Sequence, residues 1–521
     1  MSLCQAGWVI CKISDVLEVN PGLDRSPFPQ DAAVHFVPMS AVETETGKVD
    51  VSQLRPFSEV RKGYTPFVAG DIIFAKITPC MENGKIAVVP ELMNSVACGS
   101  TEFHVLRAKH GVVPSYIYYF VSAKKFRFEA KHQMTGAVGQ KRVPTGFLEG
   151  HPLPLPPTNE QRRIVAKIEE LFSELDASAE SLTRARAQLK TYRQALLKAA
   201  FEGKLTTDWR AANPDKLHSL QALLARIRGE RDARFIQATT DWETALADWE
   251  HQKQVGDRPS RPRRNPAPDP PTAHQRDNMT KLPSAWQWLQ IADFAFVTKL
   301  AGFEYTKYVK YDETGDLPVI KAENAGHLGF RETSYSFVRS ETVASLKRSI
   351  LRGGELLMVF VGAGTGNVGI VPNGRKYFLG PNIAMLRIET QCIATRFVEL
   401  FLRSPLGSEL KLSTVKAVAQ PSLSMETIRQ IPIPVPSTAE QSAIVAIVGE
   451  RLSAVDRAEA EIADALSRIK ALRQSILNRA FSGQLVPQDP SDEPAAALLA
   501  RLRAQSSYAA PGRKTRRKQT A

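Results

Sequence analysis

The chain is 521 residues long with an ordinary globular composition, enough for several domains with sizeable cores. Its net charge of +14 favours a polyanionic partner, nucleic acid first. No apolar run reaches the length of a membrane span, and the start lacks a charged-then-apolar signal pattern. Cys4, Cys11, Cys80, Cys98 and Cys392 are odd in number and show no C-x-x-C pairing. That argues against a disulfide framework or a zinc site and fits the reducing cytoplasm.

Residues 1–157 read as an α+β domain rich in loops. GDIIFAKI (70–77) and GKIAVVPE (84–91) are expected strands joined by a turn near Asn83-Gly84. PSYIYYFVSAKKFRFEA (114–130) has helical texture. The domain ends in HPLPLPPTNEQ, whose alternating prolines exclude helix and demand an extended strap.

Residues 158–206 then carry one long helix. Thr158 with Gln161 has the spacing of a capping box, and Gly203 sits where a helix-terminating glycine belongs. The helix between them is roughly 65 Å long at 1.5 Å per residue. Ile168, Leu175, Leu182, Leu189 and Leu196 recur every seven residues, with Leu171, Ser178, Ala185, Tyr192 and Ala199 in the companion register. A heptad sustained over this length predicts a coiled-coil seam.

Residues 207–280 form an insert. Its first part, 215–234, is helical and 238–250 continues that texture, whereas 256–275 is a basic, proline-rich linker. Residues 281–437 repeat the first domain with drift: WQWLQIADF (286–294) echoes WVICKISDV (8–16), GELLMVFV (354–361) echoes GDIIFAKI, and AVAQ (417–420) echoes AVGQ (137–140). Residues 438–486 repeat the long helix at a constant offset of 280, matching Thr158, Glu160, Gln161, Asp176, Arg193, Phe201 and Gly203 with Thr438, Glu440, Gln441, Asp456, Arg473, Phe481 and Gly483. Its seam is Val448, Val455, Ile462, Ile469 and Ile476, with Ala458, Ala465 and Leu472 beside it. Residues 487–521 close the chain: PAAALLARLRAQ (494–505) echoes QALLARIRGE (221–230), and a basic tail follows.

Catalytic and metal-binding constellations are not found. There is no P-loop, no H-E-x-x-H, and DPPT (269–272) lacks the aromatic residue of an amino-methyltransferase motif. The glycine run FVGAGTGNVG (360–369) is the one rival signal, for a self-contained S-adenosylmethionine-dependent methyltransferase or a nuclease; a cofactor loop needs a helix next, and VGIVPNG reads as a second strand. Base readout needs polar side chains on loops at a groove. Lys76, Thr78, Asn83, Lys85, Gln140, Lys141 and Arg142 qualify in the first domain; Lys321, Asn324, Asn367, Arg375, Lys376, Gln420 and Ser422 qualify in the second.

The twofold order of domain, P-x-P-x-P, T-x-E-Q, long helix and A-F-x-G-x-L resembles the specificity subunit of type I restriction-modification systems. It stands here as PLPLPPTNEQ with AAFEGKL and as PIPVPSTAEQ with RAFSGQL. The resemblance implies a non-catalytic DNA-binding protein of phage defence, in which target recognition domains 1–157 and 281–437 each read half of a split, asymmetric site. It further implies two modification subunits that methylate adenine with S-adenosylmethionine, and restriction subunits using ATP and Mg, with no cofactor in this chain. The long insert and basic tail depart from the family's compact spacing.

The expected fold is therefore α+β: two repeated α/β recognition domains separated by two long helices in an antiparallel coiled coil with pseudo-twofold symmetry. A parallel pair would force the connection to return roughly 65 Å, which the insert is long enough to do. The first seam is roughly 47 Å long, which predicts half-site centres about one to one and a half DNA turns apart. Phe172, Ile447, Leu452 and Leu466 lie outside the seam and are left to cover either the recognition domains or a modification subunit.

Overall fold

The computed structural model describes residues 7–24, 28–137, 139–217, 220–251, 258–262, 279–412 and 422–508. The chain divides into two compact units, Met1–Arg184 with Ile462–Ala521, and Ala185–Glu461. Each contains one recognition domain, the start of one long helix and the end of the other.

In the first unit, strands Leu17–Val19, Phe103–Ala108, Ile72–Ala75 and Ile86–Val88 lie side by side in that order, all antiparallel. A second sheet orders Leu54–Pro56, Ala33–Val37, Ala97–Gly99 and Thr65–Phe67, with one parallel pair at its centre. The second unit repeats both. Ala295–Lys299, Ile383–Ile388, Leu356–Val359 and Val368–Ile370 form its antiparallel sheet. Ser336–Val338, Leu317–Ile320, Tyr377–Leu379 and Ile350–Leu351 form its mixed one. The expected 114–130 helix is two, Pro114–Ser122 and Lys124–His132, broken by extended backbone at Ala123.

The proline straps are strands. Pro152–Leu155 pairs antiparallel with Val9–Lys12, and Pro432–Val435 with Gln287–Gln290. Proline donates no ladder bond, so it is tolerated in such two-stranded edges. The residues between the prolines, Leu153, Leu155, Ile433 and Val435, are fully buried.

The long helices span Thr158–Phe201 and Thr438–Phe481. Gly203 and Gly483 end them in the left-handed region at φ +74° and +73°. Lys204 N reaches back to Ala199 O at 3.0 Å, and Gln484 N to Arg479 O at 2.8 Å, the glycine-terminated closure that the sequence predicts.

The helix starts differ from expectation. Thr158 Oγ1 donates to Gly111 O at 2.7 Å, and the buried Gln161 accepts from Val113 N while donating to Pro156 O. In the second unit, Thr438 Oγ1 donates to Cys392 O, and Gln441 accepts from Ala394 N while donating to Pro436 O and Cys392 O. These side chains fasten each helix to its own recognition domain instead of closing a capping box. The Gly111 and Cys392 carbonyls come from a remote segment that local spacing does not reveal.

In the first unit, Ile164 and Ile168 share a core with Leu477 and Ala480, and Arg473 pairs with Asp176. In the second, Leu196 and Leu197 share a core with Ile444, Val448 and Leu452, and Arg193 pairs with Asp456 at 2.6 Å and Glu459 at 3.2 Å. Start beside end in both units makes the pair an antiparallel coiled coil. The two ion pairs are one pair written twice, since Arg193/Arg473 and Asp176/Asp456 share the offset of 280.

Ile168, Leu196, Val448, Val455 and Ile462 are buried, while Leu175, Leu182, Leu189, Ile469 and Ile476 are half-buried. The companion register departs from expectation: Ser178, Tyr192 and Leu472 are exposed. A two-helix seam shields one stripe more than the other and leaves the edge of the second to solvent. Outside the seam, Phe172 packs edge-on to Tyr119 with ring centres 5.8 Å apart, and Leu452 lies in the second unit's core. The recognition domains cover both.

Among its described residues the insert holds a short helix, Thr207–Ala212, and a long one, Leu220–His251, which Leu223 and Ile227 anchor. Leu498, Leu499 and Leu502 of helix Ala495–Tyr508 do the same in the first unit, as the echo of 221–230 in 494–505 predicts. Within the proline-rich stretch, Pro259 O accepts from Trp242 Nε1 at 3.0 Å. The tail at 512–521 and the 417–420 echo lie outside the described residues.

Candidate nucleic-acid interface

The hairpin at one edge of each antiparallel sheet ends in a loop, and a second segment is laid across it. In the first unit the loop is 76–85 and the crossing segment 135–143. Thr78 N donates to Lys141 O at 3.0 Å, Val143 N to Lys76 O at 2.9 Å, and Lys76 N to Glu102 O at 2.9 Å. Further bridges join Ile77 and Thr135 to Arg142. Lys76, Thr78, Lys141 and Arg142 are thereby brought together, with Asn83 and Lys85 on the same loop.

Their side chains divide by commitment. Arg142 forks onto Glu102 at 2.8 and 2.9 Å, and this contact holds the Glu102 carboxyl below the usual carboxylate range. Lys85 Nζ donates to Met39 O at 2.9 Å, and the Thr78 hydroxyl faces Met134 Sδ at 3.6 Å. Among the described residues, Lys76, Asn83, Gln140 and Lys141 make no side-chain hydrogen bond or ion pair, and the last three are exposed.

His104, absent from the sequence-derived set, pins the crossing segment. Its Nε2 lies 2.8 Å from Val143 O and its Nδ1 3.0 Å from Asn20 Nδ2. Burial pushes the imidazole pKa down. A neutral ring donating from Nε2 and accepting at Nδ1 meets both partners. A lone histidine in a strand carries no signal of this role.

In the second unit, residues 360–367 join Leu356–Val359 directly to Val368–Ile370, an antiparallel pair. No helix follows the glycines, so the loop lacks the helix N-terminus that a cofactor-binding glycine loop uses. Ser422 bridges to Val361, and Leu423 N donates to Phe360 O at 2.8 Å. Ser422 thus crosses the loop that carries Asn367, as Lys141 crosses the loop that carries Thr78 in the first unit. Lys299, which ends the strand on the opposite edge of the sheet, sits over the Phe360 ring at 4.9 Å; only the sheet order brings it there.

The remaining second-domain residues do not join this group. Asn324 is 1% exposed: its Oδ1 accepts from Lys321 N, and its Nδ2 donates to Arg331 O and Thr333 Oγ1. Lys321 Nζ donates to Ser336 Oγ at 2.8 Å and lies over Tyr311. Arg375 stacks on Tyr335 and Tyr377, and with the exposed Lys376 it follows the far end of strand Val368–Ile370. Gln420 lies outside the described residues.

The type I restriction modification DNA specificity domain family matches residues 5–184 and 283–468, in each case one recognition domain with the start of its long helix. The chain belongs to this family. Family members to which it is similar include the EcoEI specificity subunit of Escherichia coli, 25% identical over 492 residues, which cover 88% of this chain and 82% of that one. The EcoAI specificity subunit of Escherichia coli is 37% identical over a shorter stretch of 171 residues, 33% of this chain and 29% of that one.

Two solved structures share the fold. One chain, from a study of complex assembly and conformational transition of the type I R-M system, has a TM-score of 0.64 at 20% identity, covering 92% of this chain and 99% of its own. The HsdS subunit from Thermoanaerobacter tengcongensis has a TM-score of 0.52 at 18% identity, covering 92% and 98%. Among the described residues, no helix is long and apolar enough to cross a membrane.

Proposed function

We propose that this chain is the DNA-reading specificity subunit of a cytoplasmic type I restriction-modification complex, each recognition domain contacting one half of a split, asymmetric target. The observation carrying this reading is the repetition of one scaffold with unlike loops. Both units build the same pair of sheets and the same crossed hairpin, yet residues 76–85 and 360–367 offer different side chains. Two equal mounts with unequal readers suit a target whose halves differ.

Lys76, Asn83, Gln140 and Lys141 are the first domain's readers and phosphate contacts; Asn367 and Ser422, with Lys299 beside them, are the second's. Unpaired cations and amides on loops supply the contacts that position a protein on phosphate and read base edges. Arg375 and Lys376 suit a phosphate contact. The chain itself performs no chemistry in this reading. Methyl transfer from S-adenosylmethionine to adenine belongs to two modification subunits, and ATP- and Mg-dependent translocation and cleavage to restriction subunits.

Methylation mapping of host DNA with and without this chain tests the reading. The expected result is one bipartite, asymmetric motif present only with the chain. Loss of adenine methylation from no motif at all would overturn it. Inserting one heptad into each long helix, about 10 Å, should lengthen the spacer between the half-sites; an unchanged spacer would sink the role of the helices as a ruler.

A further inference from the structure

Each hairpin loop is held from behind by a buried cation on the second of the two short helices. In the first unit, Arg127 of helix Lys124–His132 is 8% exposed. It donates from Nη1 to Glu82 O at 2.9 Å, from Nε to Ser122 O at 3.2 Å, and from Nη2 to Glu45 Oε1 at 2.8 Å. One turn on, Lys131 Nζ meets the Glu82 carboxylate at 2.5 Å. In the second unit, Lys411 of helix Pro405–Leu412 is 5% exposed. Its Nζ donates to Gly366 O at 2.5 Å and Leu402 O at 2.7 Å. Lys131 and Lys411 are equivalent at the offset of 280.

A glycine brings the loop backbone against each cation. Gly84 has φ +68°, and a Cβ there would lie 2.7 Å from Arg127 Nη1; Gly366 has φ +87°, and its Cβ would lie 3.3 Å from Lys411 Cε. Holding Lys411 here is costly, because burial and the nearby Arg403 push its amine down to about 8. Four carbons of aliphatic packing would not need the charge. A backbone carbonyl that must stay fixed without a ladder partner does need a donor.

We propose that Arg127, Lys131 and Lys411 are positioning residues for target recognition: they fix residues 76–85 and 360–367 in reading geometry while touching no base. This rests on the reading of those loops as DNA contacts. Clamp and reader then come from different elements, so loop residues can differ between the domains while the clamp is retained.

The test is single-base mapping of the methylated motif made by the complete complex carrying Lys411→Met, Arg127→Met, Gly366→Ala or Asn367→Ala, with Leu379→Ala as a core control. Lys411→Met and Gly366→Ala should each relax base discrimination at least tenfold in one half-site and leave the other half unchanged; Arg127→Met should do so in the opposite half. Leu379→Ala, which opens a buried site in the same unit, should lower thermal stability and leave the motif intact. If Asn367→Ala relaxes a half-site while Lys411→Met and Gly366→Ala do not, the clamp is wrong and the loop reading stands. If Leu379→Ala relaxes the motif as Lys411→Met does, the effect is general loosening and the clamp is also wrong. If none of the loop or clamp variants alters the motif, the loop reading itself is wrong.

Discussion

Glu160 and Glu440 occupy the same place in the same T-x-E-Q motif, both almost wholly buried, yet their surroundings differ. Glu440 accepts from Trp286 Nε1 at 3.0 Å, Thr206 Oγ1 at 2.7 Å and Arg210 Nη1 at 2.6 Å. Thr206 and Arg210 come from LTTDWR, directly after the first long helix. The matching stretch after the second helix is LVPQDP, which puts Pro490 where the arginine would stand. Two residues further on comes Asp492, paired with Arg163 at 2.7 Å. Glu160 Oε1 finds no hydrogen-bond partner, and burial pushes its carboxyl above the usual range, with Trp8 and Arg163 opposing the rise and Asp492 adding to it. The repeat preserves backbone geometry, while the electrostatic completion of the motif depends on the residues that come after each helix.

Arg210→Ala should separate the two units most. It strips a buried carboxylate of its cation, a change that typically costs about 3–5 kcal/mol. Hydrogen exchange should show lost protection around 286–290 and 438–450, with the first unit unaffected; a loss spread equally over both units would break the contrast.

The duplicated seam pair offers a smaller difference. The Arg193 side chain is 7% exposed and meets two carboxylates, whereas that of Arg473 is 25% exposed and meets Asp176. Arg193→Ala should cost about 1.5–3 kcal/mol and Arg473→Ala under about 1 kcal/mol, read from denaturant unfolding. Equal losses would mean the two pairs are energetically alike.

Glu160→Gln should have the smallest effect. A carboxyl whose folded pKa is raised holds its proton longer in the folded state than in the unfolded one. Its stabilising contribution is complete below the unfolded value of about 4.3 and is lost as pH rises through the folded value. Melting temperature followed upward from pH 4 should therefore decline less in Glu160→Gln than in the parent chain. Identical slopes would show that Glu160 does not titrate as its burial requires.

Much of the architecture was legible in local pattern. The heptad of Ile168 through Leu196 and that of Val448 through Ile476 mark the helices, because a seven-residue apolar repeat has one solution. Gly203 and Gly483 mark their ends, since only a glycine takes φ near +70° without cost. The hairpin nature of 360–369 was readable from the strand texture after the glycines. Contacts between residues far apart in the chain were not readable. Thr158 and Gln161 fit a capping box until Gly111 and Val113 are folded against them. Asn324 looks like a surface amide until its own turn closes around it.

Periodicity, glycine and proline act over a few residues and need no partner, so the duplicated helices, their lengths and the two-domain plan follow from amino-acid order alone. Which loops meet, whether Glu440 finds Arg210, and how Lys411 comes to hold Gly366 depend on packing between elements far apart in the chain. Only the closed fold brings those groups within hydrogen-bond reach.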